Sequence, residues 1–160
     1  MRSSRRSSRP PRIKLIPGEF RTDQRGQVSF VNAFNFKGIK RFYQLKNSSL
    51  KIVRAFHGHL KEAKYIYVVT GKILLAAVYL DNPKQPSKNN NVHRIILSAD
   101  KPTIAYIPPS YANGFKALEK NSTVIIFSTS TLAQSIKDDY RFPADYWGKD
   151  VWKIVWPNQY

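Results

Sequence analysis

Short apolar or β-branched runs follow one another from residue 28 to residue 127 and leave little room for helices. Turn-forming residues separate them, for example at Thr70-Gly71 and Pro108-Pro109-Ser110. About nine strands at a spacing of roughly 8–12 residues are typical of a β-sandwich, jelly roll or barrel, so we predict an all-β fold. The runs are Val28–Val31, Arg41–Leu45, Ile52–Ala55, Tyr65–Val69, Ile73–Leu80, Val92–Leu97, Thr103–Ile107, Gly114–Leu118 and Thr123–Phe127.

The run Ile73–Leu80 is apolar at all eight positions. A strand that is apolar on both faces must be covered on both faces, and in a small sandwich the second cover could be a partner subunit. Eight residues are far fewer than the roughly 18 that span a bilayer. No apolar segment of the signal-peptide type follows the basic start of the sequence. We therefore predict a soluble, cytoplasmic protein with no membrane partner.

The sequence changes character after Phe127. Its one helical pattern, at Leu132–Asp139, is short, and residues 140–160 are strongly aromatic. Such a segment either packs against the flank or mouth of a barrel or lines a ligand pocket. Both alternatives stay open from the sequence.

The chain is strongly basic, with 27 Lys and Arg against 10 Asp and Glu. Residues 1–14 contain six of the basic residues and no acidic one, which predicts a disordered tail before a single domain at 15–160. The other 21 basic residues predict an anionic partner, either nucleic acid or a small phosphorylated ligand. Because no helix-turn-helix or RNP-type pattern accompanies the charge, nucleic acid is not expected.

Two of the three histidines, His57 and His59, are separated by one residue. Alternate residues of a strand point to the same face, so both imidazoles are expected to face one site. The chain has no cysteine, which excludes disulfides, thiolate nucleophiles and cysteine–metal sites. The chemistry of the candidate site therefore centres on imidazole.

His57-x-His59, with Gly71 closing the hairpin, resembles the first motif of the cupin superfamily, and residues 107–115 resemble the second. Metal-binding cupins have a glutamate where this chain has Lys64 and a third histidine where it has Asn113. A lysine ammonium repels a divalent cation, and an asparagine amide is a poor transition-metal ligand. The resemblance therefore implies a cupin jelly roll with no metal and no other cofactor.

A cupin with lysine at this position is similar to the nucleotide-sugar epimerases and ketoisomerases, typified by the dTDP-4-dehydrorhamnose 3,5-epimerase family. The similarity extends from residue 20 to about residue 157. The epimerase-like motifs are Phe20-x-x-Asp23-x-Arg25-Gly26, Arg54-x-x-His57, Ala63-Lys64, Ile107-Pro108-Pro109 and Trp156-Pro157. Ile39-Lys40-Arg41-x-Tyr43 and His57-x-His59 are closer to the 3,4-ketoisomerases.

The resemblance implies a homodimeric enzyme of deoxysugar biosynthesis that acts on a nucleotide-diphosphate sugar with a ketone at C4. The ketone acidifies the neighbouring C–H bonds, a neutral histidine can take such a proton, and a fixed cation stabilises the enolate oxygen. His57 is the expected base and Lys64 the oxyanion partner. His59 and Tyr43 are further catalytic candidates. The expected substrate-binding residues are Arg25, Arg41 and Arg54 at the diphosphate, Phe20 and Tyr106 at the nucleotide base, and Asn113.

One departure from the 3,5-epimerases concerns their acid. They carry a tyrosine on the strand after the I-P-P segment, whereas residues 127–132 contain none. Three interpretations stay open. They are 3,5- or 3-epimerisation of a 4-keto-6-deoxy sugar, 3,4-ketoisomerisation of the same substrate class, and non-catalytic binding of a carbohydrate or nucleotide.

Overall fold

The structure is a computed structural model that describes residues 9–154. These residues form twelve β-strands, one α-helix and one 3₁₀ helix. The strands are β1 Lys14–Pro17, β2 Glu19–Asp23, β3 Gly26–Phe30, β4 Arg41–Lys46, β5 Val53–His59, β6 Lys64–Thr70, β7 Lys72–Tyr79, β8 Val92–Ser98, β9 Thr103–Ile107, β10 Tyr111–Ala117, β11 Thr123–Ser128 and β12 Tyr140–Arg141. The helix α1 spans Leu132–Lys137, and the 3₁₀ helix spans Lys149–Trp152.

Two five-stranded antiparallel sheets form the body of the domain. The first sheet has the order β1-β9-β6-β11-β4, and the second has the order β12-β5-β10-β7-β8. From β4 onward the chain crosses between the sheets at almost every connection, as a jelly roll does. Strands β2 and β3 form a separate hairpin. The predicted all-β architecture is confirmed.

The nine apolar runs correspond to strands β3 to β11. Strand β9 has the bounds of its run, whereas β5 continues to His59 and β10 begins already at Tyr111. The extra residues include two histidines, a glycine and an asparagine, which interrupt the apolar pattern, and pairing with neighbouring strands satisfies their backbone groups. Strands β1, β2 and β12 were not predicted, because they are short and lack an apolar pattern.

Helix α1 begins where the sequence predicts it but ends two residues earlier, at Lys137. Thr131 caps its N-terminus, since the Thr131 hydroxyl accepts from the Gln134 amide while the Gln134 side chain accepts from the Thr131 amide. This capping box fixes where the chain turns after β11, and it places α1 beside the open side of the sandwich.

The main core lies between the two sheets. Alternate residues of β7 point into it from the second sheet, and alternate residues of β6, β9 and β11 meet them from the first. This alternation is what a strand with one face on a core requires. The buried members include Ile73, Leu75, Ala77, Ile66, Val68, Ala105, Val124 and Ile126.

The second face of β7 is covered by the chain's own C-terminal segment. Leu74, Ala76 and Val78 pack with Phe56 in a cluster that also holds Phe142, Trp147, Val151 and Trp152. The suggestion that a partner subunit covers this face is therefore wrong for β7. The aromatic segment packs on the flank of the sandwich, while Trp156-Pro157 lies outside the described residues.

The segment before β1 contacts the body of the domain. The Tyr111 hydroxyl donates to the Pro11 carbonyl at 2.7 Å, and β1 begins at Lys14. The boundary between a basic tail and a domain at residue 15 stays a prediction. Between residues 9 and 154, no helix is long and apolar enough to cross a membrane.

Candidate active site

A cavity of about 280 Å³ lies between the sheets on the side formed by β4 and β11 in one sheet and by β5 and β12 in the other. Helix α1 contributes to its wall. The cavity brings together basic, acidic, aromatic and aliphatic side chains. Its lining comprises Tyr43, Leu45, Arg54, His57, His59, Lys64, Asn113, Gly114, Phe115, Ile126, Leu132, Ser135, Ile136, Asp139 and Arg141.

His57 and His59 face the cavity from β5, as their spacing predicts. Arg54 faces it too, although an odd separation of three residues would place it on the other side of a regular strand. The pairing of β5 with β10 explains this, because Asn113 pairs with His57 but Phe115 pairs with Arg54. This β-bulge re-aims Arg54 into the cavity.

Gly114 allows the two strands to approach at this bulge. A Cβ atom at Gly114 would lie 2.5 Å from the Arg54 carbonyl oxygen and 2.7 Å from the Ala55 Cα. Real side chains do not make such contacts with backbone, so the position requires glycine. The bulge and Gly114 together place one arginine beside the histidines.

Lys64 and Tyr43 line the cavity from the opposite sheet, on β6 and β4. Only 6% of Lys64 is solvent-exposed. Burial lowers the pKa of Lys64 below its usual range, while the nearby Glu62 carboxylate opposes that shift. The lysine is thus a nearly dry cation next to an anion, and its charge is screened little by water.

Burial, and then the charge of Lys64, lower the pKa of His57 below the usual histidine range. His57 is therefore neutral near pH 7 and can accept a proton. Burial, followed by the charge of Glu62, raises the pKa of Tyr43 to about 12. Tyr43 therefore keeps its proton and can donate it. One cavity thus holds a neutral base, a cation and a protonated phenol.

Glu62 lies beside the cavity with its side chain fully buried. Its Oε1 accepts from the Ser128 hydroxyl at 2.5 Å and lies 3.5 Å from Arg41 Nη2. Its Oε2 accepts from the Ser135 hydroxyl at 2.8 Å and lies 3.2 Å from His59 Nδ1. Four polar groups from different parts of the chain therefore converge on one carboxylate.

Six of the ten predicted site residues line the cavity: Tyr43, Arg54, His57, His59, Lys64 and Asn113. Arg41 does not line the cavity. Its Nε donates to the Ser130 carbonyl at 3.2 Å, and its guanidinium stacks on the Tyr43 ring at 4.8 Å. In this arrangement Arg41 binds protein groups rather than facing the cavity.

The structure does not bring the other three predicted residues to the cavity within one chain. Phe20 and Arg25 lie on the β2–β3 hairpin, where Arg25 pairs with Asp23 at 2.6 Å and its side chain is 86% exposed. Tyr106 lies on the outer face of the first sheet and stacks with Tyr65 at a ring distance of 4.9 Å. That face is opposite the core-facing residues Ala105 and Ile107.

Three polar residues at or beside the cavity were not predicted as site residues: Glu62, Asp139 and Arg141. Arg141 Nε donates to Asp139 Oδ2 at 2.9 Å, so the two side chains form one pair at the cavity edge. They belong to a two-residue strand and the turn before it, which carry no readable period. Glu62 lies in the turn between β5 and β6, where a charged residue usually faces solvent.

The residues described in the structure contain no group of three or more His, Cys, Asp or Glu side chains arranged to hold a metal ion. The Lys64 ammonium supplies a fixed positive charge in the cavity.

The fold is a cupin-type jelly roll, and its cavity brings histidine, lysine and tyrosine side chains together. Residues 11–144 match the family model of dTDP-4-dehydrorhamnose 3,5-epimerase, and the chain belongs to that family. It is accordingly a sugar-nucleotide epimerase or isomerase. No curated protein matches the sequence.

Solved structures of similar fold include both epimerases and ketoisomerases. The rmlC epimerase of Mycobacterium tuberculosis is 18% identical, with a TM-score of 0.69 over 92% of this chain and 76% of that chain. The dTDP-4-dehydrorhamnose 3,5-epimerase of Sulfolobus tokodaii is 24% identical, with a TM-score of 0.69 over 91% and 81%. The sugar 3,4-ketoisomerase QdtA of Thermoanaerobacterium thermosaccharolyticum, solved with TDP, is 17% identical, with a TM-score of 0.64 over 87% and 93%. At these identities the likeness shows the fold.

Proposed function

We propose that the cavity binds a nucleotide-diphosphate 4-keto-6-deoxy sugar and that His57 removes a proton from a carbon next to the ketone. The observation that carries the proposal is the meeting of His57, Lys64 and Tyr43 in one cavity. Their protonation states suit a base, an oxyanion partner and an acid, respectively.

Proton removal by His57 leaves an enolate whose negative charge lies on the former ketone oxygen. Lys64 stabilises that charge, and its burial makes the attraction stronger than in water. The same fixed ammonium supports a reaction that needs no metal. We assign no cofactor to the enzyme.

Tyr43 is the proposed acid for epimerisation. Inverting a carbon requires that the new proton arrive from the face opposite the base. Tyr43 lies on β4 in the first sheet, across the cavity from His57 on β5 in the second. We propose that Tyr43 replaces the tyrosine that residues 127–132 lack.

A second candidate function is 3,4-ketoisomerisation, and the position of His59 favours it. His59 lies on the same wall as His57. Moving a ketone between neighbouring carbons needs proton transfers at carbon and at oxygen, and two imidazoles on one wall can share them. Both reactions begin with the same proton abstraction at C3.

Cationic groups at the open side of the cavity are the proposed diphosphate ligands. Arg54 is exposed and is held by a bond from its Nε to Asn47 Oδ1 at 2.7 Å. Arg141 lies at the cavity edge, and Asn113 faces it from β10 beside His57. The structure of QdtA with TDP supports a thymidine diphosphate group on the substrate.

We propose that the enzyme is a homodimer and that the β2–β3 hairpin takes part in the contact. Phe20 and Val28 lie on opposite faces of this hairpin and are 46% and 64% exposed. Each is an exposed apolar side chain that a second copy can cover. In such a dimer, Phe20 and Arg25 of one protomer would contribute to the cavity of its partner. Arg25→Gln should then raise the KM for the nucleotide sugar, and light scattering should show that the dimer stays intact.

The test of function is product analysis with dTDP-4-keto-6-deoxyglucose and its UDP counterpart, followed by ¹H NMR. An inverted C3 or C5 supports epimerisation, and a ketone moved to C3 supports ketoisomerisation. An unchanged substrate in both incubations would overturn the proposal.

A cytoplasmic location is proposed as well, because nucleotide sugars are made from nucleotides there.

A further inference from the structure

Glu62 is a buried carboxylate to which the proposed reaction assigns no part. Only 2% of the residue is exposed. Ser128 and Ser135 donate one hydrogen bond to each of its oxygens. A buried carboxylate is costly unless its oxygens are satisfied, so this site is built to hold a negative charge. The question is which group uses that charge.

His59 is the imidazole next to it. Its Nδ1 lies 3.2 Å from Glu62 Oε2 and also contacts the Asp138 carbonyl oxygen. Both neighbours are acceptors, so Nδ1 must carry the proton. The Asp138 carboxylate accepts from the Leu60 and Lys61 amides at 2.8 Å each, which fixes the turn that holds this arrangement. Nε2 remains as the nitrogen with a free lone pair.

The charges around His59 come from several elements. Lys64 on β6 and His57 on β5 oppose a positive charge on the ring, whereas Glu62 and Asp138 favour it. Burial, the largest effect, lowers the pKa of His59. His59 is thus neutral at rest, and Glu62 is the main side chain that stabilises its protonated form.

We propose that Glu62 is a positioning residue that makes His59 a second proton carrier beside His57, which rests on the proposed function. Nε2 takes a proton from the bound sugar, and the electron pair of the broken bond stays on the sugar. The ring then carries a proton on each nitrogen, and its positive charge lies beside the Glu62 carboxylate. Returning the Nε2 proton to the sugar restores the neutral ring.

The direct test is ¹⁵N NMR of the histidine rings in the wild-type protein, with His59 assigned from a His59→Asn variant. We expect His59 to be neutral near pH 7 with the proton on Nδ1, which is the less common tautomer of free histidine. A proton on Nε2 would overturn the pairing. This readout does not depend on turnover.

The second test is Glu62→Gln, with Glu119→Gln as its matched control, because Glu119 is an exposed carboxylate paired with Lys72. Removing the charge should lower the titration midpoint of His59 by roughly one pH unit. It should reduce kcat about 10- to 100-fold and change KM less than about 3-fold. The control should leave both the titration and kcat unchanged.

A Glu62→Gln variant that folds and shows wild-type titration and kcat would overturn the proposal. If Glu62→Gln does not fold, Ser135→Ala is the alternative variant, because it keeps the Glu62 charge and removes one hydrogen bond to the carboxylate. It should lower kcat and leave KM nearly unchanged. A wild-type protein that turns over no nucleotide sugar would overturn the proposed function and the proton-carrier role. In that case the ring NMR would still decide whether Glu62 and His59 are paired.

Discussion

His57 and Tyr43 line the same cavity from opposite sheets, His57 on β5 and Tyr43 on β4. Burial and neighbouring charges lower the pKa of His57 and raise the pKa of Tyr43. The imidazole is therefore neutral near pH 7, while the phenol keeps its proton. A base and an acid on opposite walls can take a proton from one face of a carbon and return another to the other face.

Tyr43→Phe separates these two steps. Because only the phenol proton is lost, exchange of the C3 hydrogen with solvent should continue, while net inversion at that carbon falls about 100-fold. ¹H NMR in D₂O measures both rates in one sample. Tyr67→Phe is the control, since Tyr67 alternates with the core residues Ile66 and Val68 and lies on the outer face of β6. If exchange and inversion fall together, Tyr43 is not the acid.

Lys64→Met removes the cation that we propose faces the enolate oxygen. We expect kcat to fall about 100- to 1,000-fold, since such electrostatic contacts are strongest in the transition state. Lys46→Met, at the exposed end of β4, is the control and should keep full activity. An equally active Lys64→Met enzyme would rule out the oxyanion role.

The pH dependence of kcat/KM should be bell-shaped. Activity rises with pH as His57 loses its proton, and because its pKa is lowered, this limb lies below pH 6.5. Activity falls as Lys64 loses its proton, below pH 10.5 and well before Tyr43 ionises at about 12. In Lys64→Met the alkaline limb should disappear and the acid limb should move to higher pH. An acid limb above pH 6.5 in the wild type contradicts this assignment.

Phe56 packs strand β5 against the C-terminal aromatic segment. It is 1% exposed, and its ring meets Trp147 edge-on at 4.8 Å. Phe56→Ala should reduce the free energy of unfolding by about 3–5 kcal/mol, as truncation of a buried aromatic does. Urea denaturation measures this loss, with the exposed Phe42→Ala as the comparison. Equal losses for both variants would show that the C-terminal aromatic cluster does not stabilise β5.

The strands were predictable because each core strand carries its own apolar run. Thr103–Ile107 is one example, and the run Ile73–Leu80 predicted that both faces of its strand are buried. The apolar pattern did not predict which segment covers the second face of β7. Trp147 and Trp152 cover it, and their contact with β7 is long-range in the sequence.

The histidine pair and Lys64 were predictable from spacing and resemblance, but the position of Arg54 was not. A β-bulge shifts the period of β5 by one residue, and only the pairing with β10 reveals it. Glu62 was not assigned to the site because turns normally expose their acids, whereas here its side chain is fully buried and Ser128 and Ser135 donate to its oxygens. Arg41 was predicted as a diphosphate ligand, and in the structure it donates to the Ser130 carbonyl and pairs with Glu62.

The most direct test of the central claim is deuterium incorporation into dTDP-4-keto-6-deoxyglucose in D₂O, with wild-type protein and His57→Asn compared side by side. We expect label at C3 with the wild type and a rate at least about 100-fold lower with the variant, while the affinity for dTDP is unchanged. Label at C5 as well would identify 3,5-epimerisation. No label with the wild type, or equal labelling by both proteins, would contradict the assignment of His57 as the base.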